Sequence, residues 1–226
     1  MQKFNIAIDG PAGAGKSTVA RLTAKRLNFQ YIDTGAMYRA VTWEVLRRQI
    51  PMDDEQRIAE IAAEMDFSLE TTASGTKIYV NGRDVTEEIR SEAVTSHVSA
   101  VAQLPSVRDV LVAKQQKMAA AGGVVMDGRD IGTKVLPEAE VKVLLTASIE
   151  ERAKRRLHEM RAKGIQTDLE RLKREIAARD KIDSERSVSP LRKAKDAVTV
   201  DTTGMTIEQV VENILDLSRT KVGPLE

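Results

Sequence analysis

Residues 4–19 read F-N-I-A-I-D-G-P-A-G-A-G-K-S-T-V, and this stretch decides the fold. It begins as a short apolar run, breaks into glycines and continues with the spacing of a helix. Gly10, Gly15, Lys16 and Ser17 match the phosphate-loop pattern G-x-x-x-x-G-K-[ST] in full. Glycines let backbone N–H groups approach phosphate oxygens, and the following helix directs its positive end at the same anion. Lys16 can reach the β- and γ-phosphates, and the Ser17 hydroxyl can ligate Mg²⁺. The stretch therefore predicts a nucleoside triphosphate site.

Composition narrows the class of protein around this loop. The chain has 226 residues, of which 42% are hydrophobic, enough for one core or a core with a small insert. A net charge of +1 gives no long-range attraction to nucleic acid or membrane. The absence of cysteine excludes disulfides and thiolate metal sites. No apolar run approaches the roughly 18 residues of a membrane span, and the N-terminus enters a strand too early for a signal peptide. We expect a cytoplasmic protein.

Acidic residues follow several apolar runs in the manner of a parallel sheet. Asp9, Asp33, Asp127 and Asp201 each come directly after a short apolar run, and a further strand is predicted at 141–145. Ligands of such sheets bind beyond the carboxyl ends of the strands. We predict an α/β fold, a P-loop parallel-sheet core with helices on both faces.

A different pattern interrupts this core. Asn81-Gly82 lies between strand-like residues and indicates a hairpin, and a turn is predicted at Ser74-Gly75. We predict a small antiparallel insert at 67–105, with the core formed by 1–66 and 106–226. Thr34 is predicted to cap the helix that follows it, and Thr206 and Gln209 form a predicted capping box.

Three classes of phosphate-loop protein fit these features to different extents. A GTPase needs an N-K-x-D motif after a strand, whereas D-K-I-D at 180–183 lacks the asparagine and follows a charged helix. A large ATPase needs more machinery than this length offers. A small-molecule kinase needs an acceptor-binding insert and an arginine-rich lid, because phosphoryl transfer depends on positioning and charge neutralisation. Arg152, Arg155 and Arg156 share one helical face, which favours a lid at about 152–167 over a solvated surface.

Several segments together resemble a known family, the bacterial cytidylate kinases among the P-loop nucleoside monophosphate kinases. They are I-D-G-P-A-G-A-G-K-S-T at 8–18, Y-I-D-T-G-A-M-Y-R-A at 31–40, D-G-R-D-I-G-T at 127–133 and R-D-x-x-D-x-x-R at 179–186. The phosphate loop is generic, and the second and third segments are much more specific. The resemblance covers most of the chain, including the hairpin insert that distinguishes this group from adenylate kinases.

The resemblance implies transfer of a phosphoryl group from ATP, with Mg²⁺, to CMP or dCMP. Together with the phosphate loop and the lid arginines, it leads us to expect catalytic roles for Lys16, Arg129 and Arg156, with Ser17 as the metal ligand. The implied ATP-binding residues are Gly10, Pro11, Ala12, Gly13, Ala14, Gly15, Lys16, Ser17 and Thr18. The implied CMP-binding residues are Asp33, Thr34, Arg39, Ser99, Arg108, Arg129, Asp130, Arg179, Asp183 and Arg186. The partners would be small nucleotides rather than nucleic acid or membrane, and the family favours a monomer.

Each implied acceptor group has a chemical reason and, in some cases, a competing one. Arginine suits phosphate because its planar guanidinium pairs with two oxygens. Cytosine offers an acceptor at N3 and a donor amine, so Arg108 would face N3, and Asp130 and Ser99 would face the amine. Thr34 stands where many members have serine, with a hydroxyl in either case. Ser99 could instead be a surface hydroxyl, Asp183 a salt-bridge partner of Arg179, and Asp33 or Asp127 a helix cap or a partner of Lys16. Two other functions remain possible at this point. One is a kinase of the same fold that acts on another small acceptor, such as UMP, AMP or a non-nucleotide, and the other is a non-catalytic, nucleotide-dependent switch.

Overall fold

A computed structural model of the chain describes residues 3–72, 75–162 and 164–225. The chain forms two compact units, one of Met1–Gln30 with Gly122–Glu226 and the other of Tyr31–Ala121. The second unit is larger than the predicted insert at 67–105, because it also contains the helices that precede and follow those residues.

The secondary structure alternates strands and helices at both ends of the chain. The strands are β1 (Asn5–Asp9), β2 (Gln30–Asp33), β3 (Phe67–Thr72), β4 (Gly75–Val80), β5 (Arg83–Asp84), β6 (Val124–Gly128), β7 (Val141–Thr146) and β8 (Val198–Asp201). The helices are α1 (Lys16–Leu27), α2 (Thr34–Arg47), α3 (Glu55–Glu64), α4 (Glu92–Val101), α5 (Pro105–Ala119), α6 (Ile149–Ala162), α7 (Leu169–Glu185) and α8 (Ile207–Val222).

Five strands form one sheet in the order β2-β6-β1-β7-β8. β1 pairs in parallel with both β6 and β7, and β7 pairs in parallel with β8. Every residue of β6 is buried, as expected for an inner parallel strand covered on both faces. The register sets Asp9 opposite Gly128, so the segments that follow β1 and β6 start side by side. The predicted α/β fold with a parallel-sheet core is confirmed.

Helices of the first unit pack against this sheet and against one another. α1 packs on β6 and on α8. α8 begins with the predicted capping box, in which the Thr206 hydroxyl accepts from Gln209 N and the Gln209 side chain accepts from Thr206 N. α6 and α7 pack together around a small apolar cluster of Ala153, Leu172 and Ile176.

The second unit carries the predicted antiparallel hairpin. β3, β4 and β5 form a three-stranded sheet, and the β4–β5 turn has positive φ at Asn81 (51°) and Gly82 (79°). Positive φ at both central positions is what a tight two-residue hairpin turn requires, and Asn-Gly is the pair that adopts it at least cost. α2 packs on α4, and α3 packs on α5.

Two details of the prediction are wrong. Asp33 rather than Thr34 caps α2, because the Asp33 backbone is still extended and its Oδ1 accepts from Ala36 N at 2.9 Å. The D-K-I-D residues lie within α7, which runs to Glu185, rather than after a charged helix, and Asp183 lies on a buried face of α7. The predicted turn residue Ser74, and Lys163 of the predicted lid, lie outside the described residues.

Candidate active site

The phosphate loop connects β1 to α1 and has a backbone that only glycine adopts easily. Gly10, Gly13 and Gly15 have φ of 154°, 77° and 86°. A Cβ added to Gly10 would lie 2.2 Å from the carbonyl oxygen of Leu145, which excludes any side chain. Gly15 is the N-cap of α1 and offers no capping side chain, so the helix N-terminus remains available to an anion.

Lys16 and Ser17 are the first two residues of α1, and the side chain of each donates a hydrogen bond within the first unit. The Lys16 ammonium is buried and donates to the Pro11 carbonyl at 2.7 Å. Burial lowers the pKa of Lys16, and the charges of Arg129 and Arg179 lower it further, against the opposing effect of Asp127 and Asp183.

The Ser17 hydroxyl donates to Asp127 Oδ2 at 3.1 Å. Asp127 lies in β6 next to β1, so the parallel pairing brings this buried carboxylate to the first turn of α1. Hydroxyl and carboxylate oxygens are the hard ligands that Mg²⁺ takes, usually one or two from protein with phosphates and water completing the shell. The described ranges contain no group of three or more His, Cys, Asp or Glu side chains that could hold a metal by themselves.

The segment after β6 carries two charged side chains that are already paired. Arg129 Nε donates to Asp183 Oδ2 at 2.7 Å, and Arg186 Nη2 lies 3.8 Å from Asp130 Oδ1. Asp130, Asp183 and Arg186 are all buried. Arg179 lies one turn before Asp183 on α7 and is half-buried. The structure therefore brings the five predicted acceptor residues of this unit onto two segments, the turn after β6 and the end of α7.

The predicted acceptor residues of the second unit occupy α2, α4 and α5. Arg39 Nη1 donates to Thr95 Oγ1 at 2.9 Å and to the Ile89 carbonyl at 3.4 Å. Thr34 is buried in the first turn of α2. The competing interpretation of Asp33 as a helix cap is confirmed.

Arg108 is buried, donates to the Ala102 carbonyl at 3.2 Å and lies 5.5 Å from the centre of the Tyr38 ring. Ser99 is half-buried on α4, and its carbonyl accepts from the Gln103 amide.

The three arginines predicted for a lid differ in their surroundings. Arg152 is almost completely buried and donates to Asp180 at 2.6 and 3.0 Å and to the Ala12 carbonyl of the phosphate loop at 3.1 Å. Arg155 donates to Thr202, which also lies beside the phosphate loop. The Arg156 side chain is 50% exposed and lies 3.4 Å from Glu159.

The match with known sequences is extensive. A family model described as Cytidylate kinase matches residues 6–220. The chain belongs to the cytidylate kinase family. A cytidylate kinase of Geobacillus sp. (strain WCH70) is 56% identical over 220 residues, covering 97% of this chain and 98% of the relative. A cytidylate kinase of Bacillus subtilis (strain 168) is 53% identical with the same coverage. The resemblance inferred from the motifs is confirmed, and the chain is a kinase.

Solved structures support the fold. An uncharacterised protein from Eubacterium ventriosum has a TM-score of 0.53 at 13% identity, covering 95% of this chain and 97% of that one. A sugar kinase from Janibacter sp. HTCC2649 has a TM-score of 0.50 at 11% identity, covering 99% and 98%. Within the part of the chain that the structure describes, every helix is too short or too polar to cross a lipid bilayer.

Sequence reasoning missed residues that hold the predicted groups in place. Asp180 fixes Arg152, Thr95 fixes Arg39, and Tyr38 lies against Arg108. Tyr38 precedes Arg39 in the specific Tyr-Arg dipeptide, which was a usable signal. Thr95 and Asp180 are 56 and 28 residues from their partners, and no local pattern indicates such contacts.

Proposed function

We propose that this protein transfers the γ-phosphoryl group of ATP to CMP or dCMP, giving ADP and CDP or dCDP. The observation that carries the proposal is the pairing of β1 with β6, which starts the phosphate loop and the Arg129–Asp130 segment side by side at one sheet edge. Ser17 and Asp127 link the two segments at 3.1 Å. Phosphoryl transfer needs its donor loop and its charge-neutralising arginines close together.

The donor would be bound by the loop Gly10–Thr18. Backbone N–H groups and the α1 N-terminus bind phosphate oxygens, and Lys16 neutralises charge on the β- and γ-phosphates. Ser17 would hold Mg²⁺, which when bound would neutralise negative charge on the phosphates. Asp127, hydrogen-bonded to Ser17, would orient a water of that ion.

The acceptor phosphate would be bound by three arginines, Arg39, Arg129 and Arg186. Two of them are supported in advance, because Asp183 holds the Arg129 guanidinium and the Ser189 carbonyl holds that of Arg186 at 2.7 Å. Such support reduces the side-chain entropy lost on binding.

The remaining groups would recognise the nucleoside. Arg179 and Asp183 would bind the ribose hydroxyls, with Thr34 and Asp33 near a phosphate or sugar oxygen. Arg108, Asp130 and Ser99 would read cytosine, because uracil reverses the donor and acceptor pattern and would leave buried polar groups unpaired. The burial of Arg108 and Asp130 supports this assignment, since an unpaired group costs more when it is buried.

No general base is assigned, because the attacking acceptor oxygen is an anionic phosphate oxygen. The work is positioning and charge neutralisation. Arg156 is the arginine that we assign to the transferring phosphoryl group, since Arg152 and Arg155 are engaged with the core of their own unit. An arginine in that role contributes about 10³–10⁵ in rate.

Turnover with a panel of acceptors tests the reaction. ADP formation from ATP and Mg²⁺ is measured with CMP, dCMP, UMP and AMP offered separately. Strong turnover with CMP and dCMP alone is expected. A preference for UMP or AMP would be consistent with the proposed phosphoryl transfer but would refute the assignment of cytosine recognition to Arg108, Asp130 and Ser99. ATP hydrolysis that none of the four acceptors changes would favour the non-catalytic nucleotide switch.

Arg108→Ala tests the base-reading assignment. We expect the KM for ATP to be unchanged and the preference for CMP over UMP to fall by about 1–3 kcal/mol, the penalty scale for an unpaired buried polar group. Ser96→Ala, at an exposed α4 hydroxyl that bonds its own helix, is the matched control and should leave both values unchanged. An unaltered base preference in Arg108→Ala would refute the assignment.

We further propose that residues 67–105 serve acceptor binding and that 152–167 form the lid. Hydrogen exchange of 152–162 with and without a bisubstrate analogue tests the lid, and unchanged protection would count against closure. We also propose that the protein acts as a monomer in the cytoplasm, where ATP and nucleoside monophosphates are its small-molecule partners. Light scattering across a concentration series tests the monomer, and an increase in mass would refute it.

A further inference from the structure

One buried carboxylate has no part in the functions assigned above. Asp9 is the last residue of β1, directly before the first glycine of the phosphate loop, and is 5% exposed. Its Oδ1 accepts a hydrogen bond from Ile131 N at 2.7 Å, and its Oδ2 accepts one from Gly132 N at 2.8 Å. Both oxygens are thus engaged by consecutive backbone N–H groups from a segment 122 residues away along the chain.

The two N–H groups belong to a short π-helical turn, Ile131–Val135. Such turns are rare and are frequent at functional sites. The first N–H groups of any helical turn have no partner within it, and the Asp9 carboxylate supplies two of the missing acceptors. The turn then closes on itself, with Lys134 N and Val135 N donating to the Asp130 carbonyl.

The turn directly follows Arg129 and Asp130. Fixing the N–H group of Ile131 fixes the peptide plane that follows Asp130, which restricts the direction of the Asp130 side chain and the position of the adjoining Arg129. Asp130 and Arg129 then meet Arg186 and Asp183 on the same unit, at 3.8 and 2.7 Å. Displacement of the turn would move both ion pairs together.

The surroundings of Asp9 are unfavourable for an ionised group. The pKa of Asp9 is raised to about 6, chiefly by burial and in part by the charge of Asp130, against the opposing effect of the two N–H bonds and the Lys16 charge. A side chain that only filled space here could be apolar and avoid this desolvation cost. Retention of a carboxylate is explained by the two backbone donors that it holds.

We propose that Asp9 is a positioning residue for the acceptor, whose carboxylate holds the Ile131–Val135 turn and thereby aims Arg129 and Asp130 at the acceptor phosphate and base. This inference rests on the proposed function of those two residues. Asp9 would then link donor and acceptor binding, because the residue directly before the phosphate loop also holds the segment that carries Arg129 and Asp130.

The test is the isosteric substitution Asp9→Asn. The amide keeps one acceptor oxygen but presents an NH₂ group to the second backbone N–H, so one hydrogen bond is lost and a donor faces a donor. We expect the KM for CMP to rise about ten-fold, the effect of one lost charge-assisted hydrogen bond, and the preference for CMP over UMP to fall. The KM for ATP should change by less than about two-fold on the same scale.

A matched control lies at the other end of the same strand. Glu140 Oε2 accepts from Asn5 N at 2.8 Å, so it is also a carboxylate bound to backbone N–H at an end of β1. Glu140→Gln keeps a carbonyl acceptor and should leave all three values at those of the wild type. Amide exchange measured by NMR should accelerate at Ile131 and Gly132 in Asp9→Asn and remain slow in Glu140→Gln.

Gly132→Ala perturbs the same turn without changing charge. Its added Cβ would lie 3.3 Å from Lys142 Cδ, so either the Lys142 side chain or the turn must give by a few tenths of an ångström, and it would touch Asp9 Oδ2 at 3.4 Å. A smaller rise in the KM for CMP is expected. This second variant keeps the inference testable if Asp9→Asn does not fold.

The outcomes distinguish failure of the positioning role of Asp9 from failure of the proposed CMP kinase activity. A wild type that does not phosphorylate CMP refutes the proposed function. A wild type that does, with Arg129→Ala raising the KM for CMP while Asp9→Asn and Gly132→Ala leave it unchanged, refutes only the positioning role. An equal rise in the KM for CMP and ATP in Asp9→Asn would also refute it, because a general disturbance of the phosphate loop would then explain the loss.

Discussion

The raised pKa of Asp9 predicts an unusual pH dependence of stability. Burial is the largest cause of the shift from 3.8 to about 6, and Asp9→Asn removes the titrating group while keeping its shape. Because the folded-state pKa lies above the unfolded-state value, folding takes up a proton between these two pH values. The contribution of Asp9 is fully present below pH 3.8 and is lost as the pH rises through 6.

The magnitude follows from the size of the shift. At about 1.4 kcal/mol per pKa unit, the full effect on the free energy of unfolding is about 3 kcal/mol. About 2 kcal/mol of it falls between pH 4 and 6.5, a range in which the folded protein can be studied. The free energy of unfolding of the wild type should therefore decline by that amount relative to Asp9→Asn as the pH rises.

Urea unfolding of both proteins at half-unit pH intervals, without nucleotide, measures this difference. Other titrating groups contribute almost equally to the two proteins, so the difference curve isolates Asp9. A flat curve would show that the carboxylate titrates near its ordinary pKa. A curve of opposite slope would show that the Lys16 charge and the two N–H bonds outweigh burial, and either result would refute the reasoning.

Four further substitutions test the phosphate loop and the predicted lid. Gly10→Ala should give an inactive, destabilised protein, because the added Cβ would lie 2.2 Å from the Leu145 carbonyl oxygen. Thermal unfolding with and without ATP measures stability and ATP binding. A normal ATP-induced rise in the unfolding temperature would contradict the prediction. Lys16→Ala should abolish turnover with every acceptor while the fold persists. A coupled ADP assay measures turnover, and circular dichroism measures folding. Turnover above about one per cent of the wild-type rate would contradict the prediction, given the scale of transition-state charge stabilisation. Arg152→Ala should lower the free energy of unfolding by about 3 kcal/mol because Asp180 loses its partner, whereas Arg156→Ala should lower kcat with little effect on stability; the reverse pattern would exchange the structural and catalytic roles.

The sequence predicts well wherever a local pattern is sufficient. The phosphate loop, the Asn81-Gly82 hairpin and the Thr206–Gln209 capping box depend on residues within a few positions of one another, and each is found where it was predicted. The inner strands β1 and β6 were found because their buried runs are mainly apolar and are followed by Asp9 and Asp127.

Contacts between distant residues were harder to predict. The acid-hydroxyl pair Asp33-Thr34 offers two possible caps, and the extended backbone of Asp33 at the end of β2 decides between them. Arg152 shares a helical face with Arg156, yet one is buried against Asp180 and the other exposed, because α7 packs on only part of that face. The partners of Asp9 became evident only once the sheet order set β1 beside β6.

The charges around Lys16 indicate what these carboxylates do. Burial lowers the pKa of Lys16 most, Arg129 and Arg179 lower it further, and Asp127 and Asp183 oppose the shift. A phosphate group brought by a substrate would add negative charge and favour the protonated lysine, so the positive charge of this cluster is matched to an anionic ligand. Asp183 meanwhile holds Arg129 at 2.7 Å without neutralising the whole cluster. The acids near the phosphate loop therefore serve to orient cations and limit their mutual repulsion. That role suits a reaction whose attacking oxygen is already ionised and which needs no proton removed.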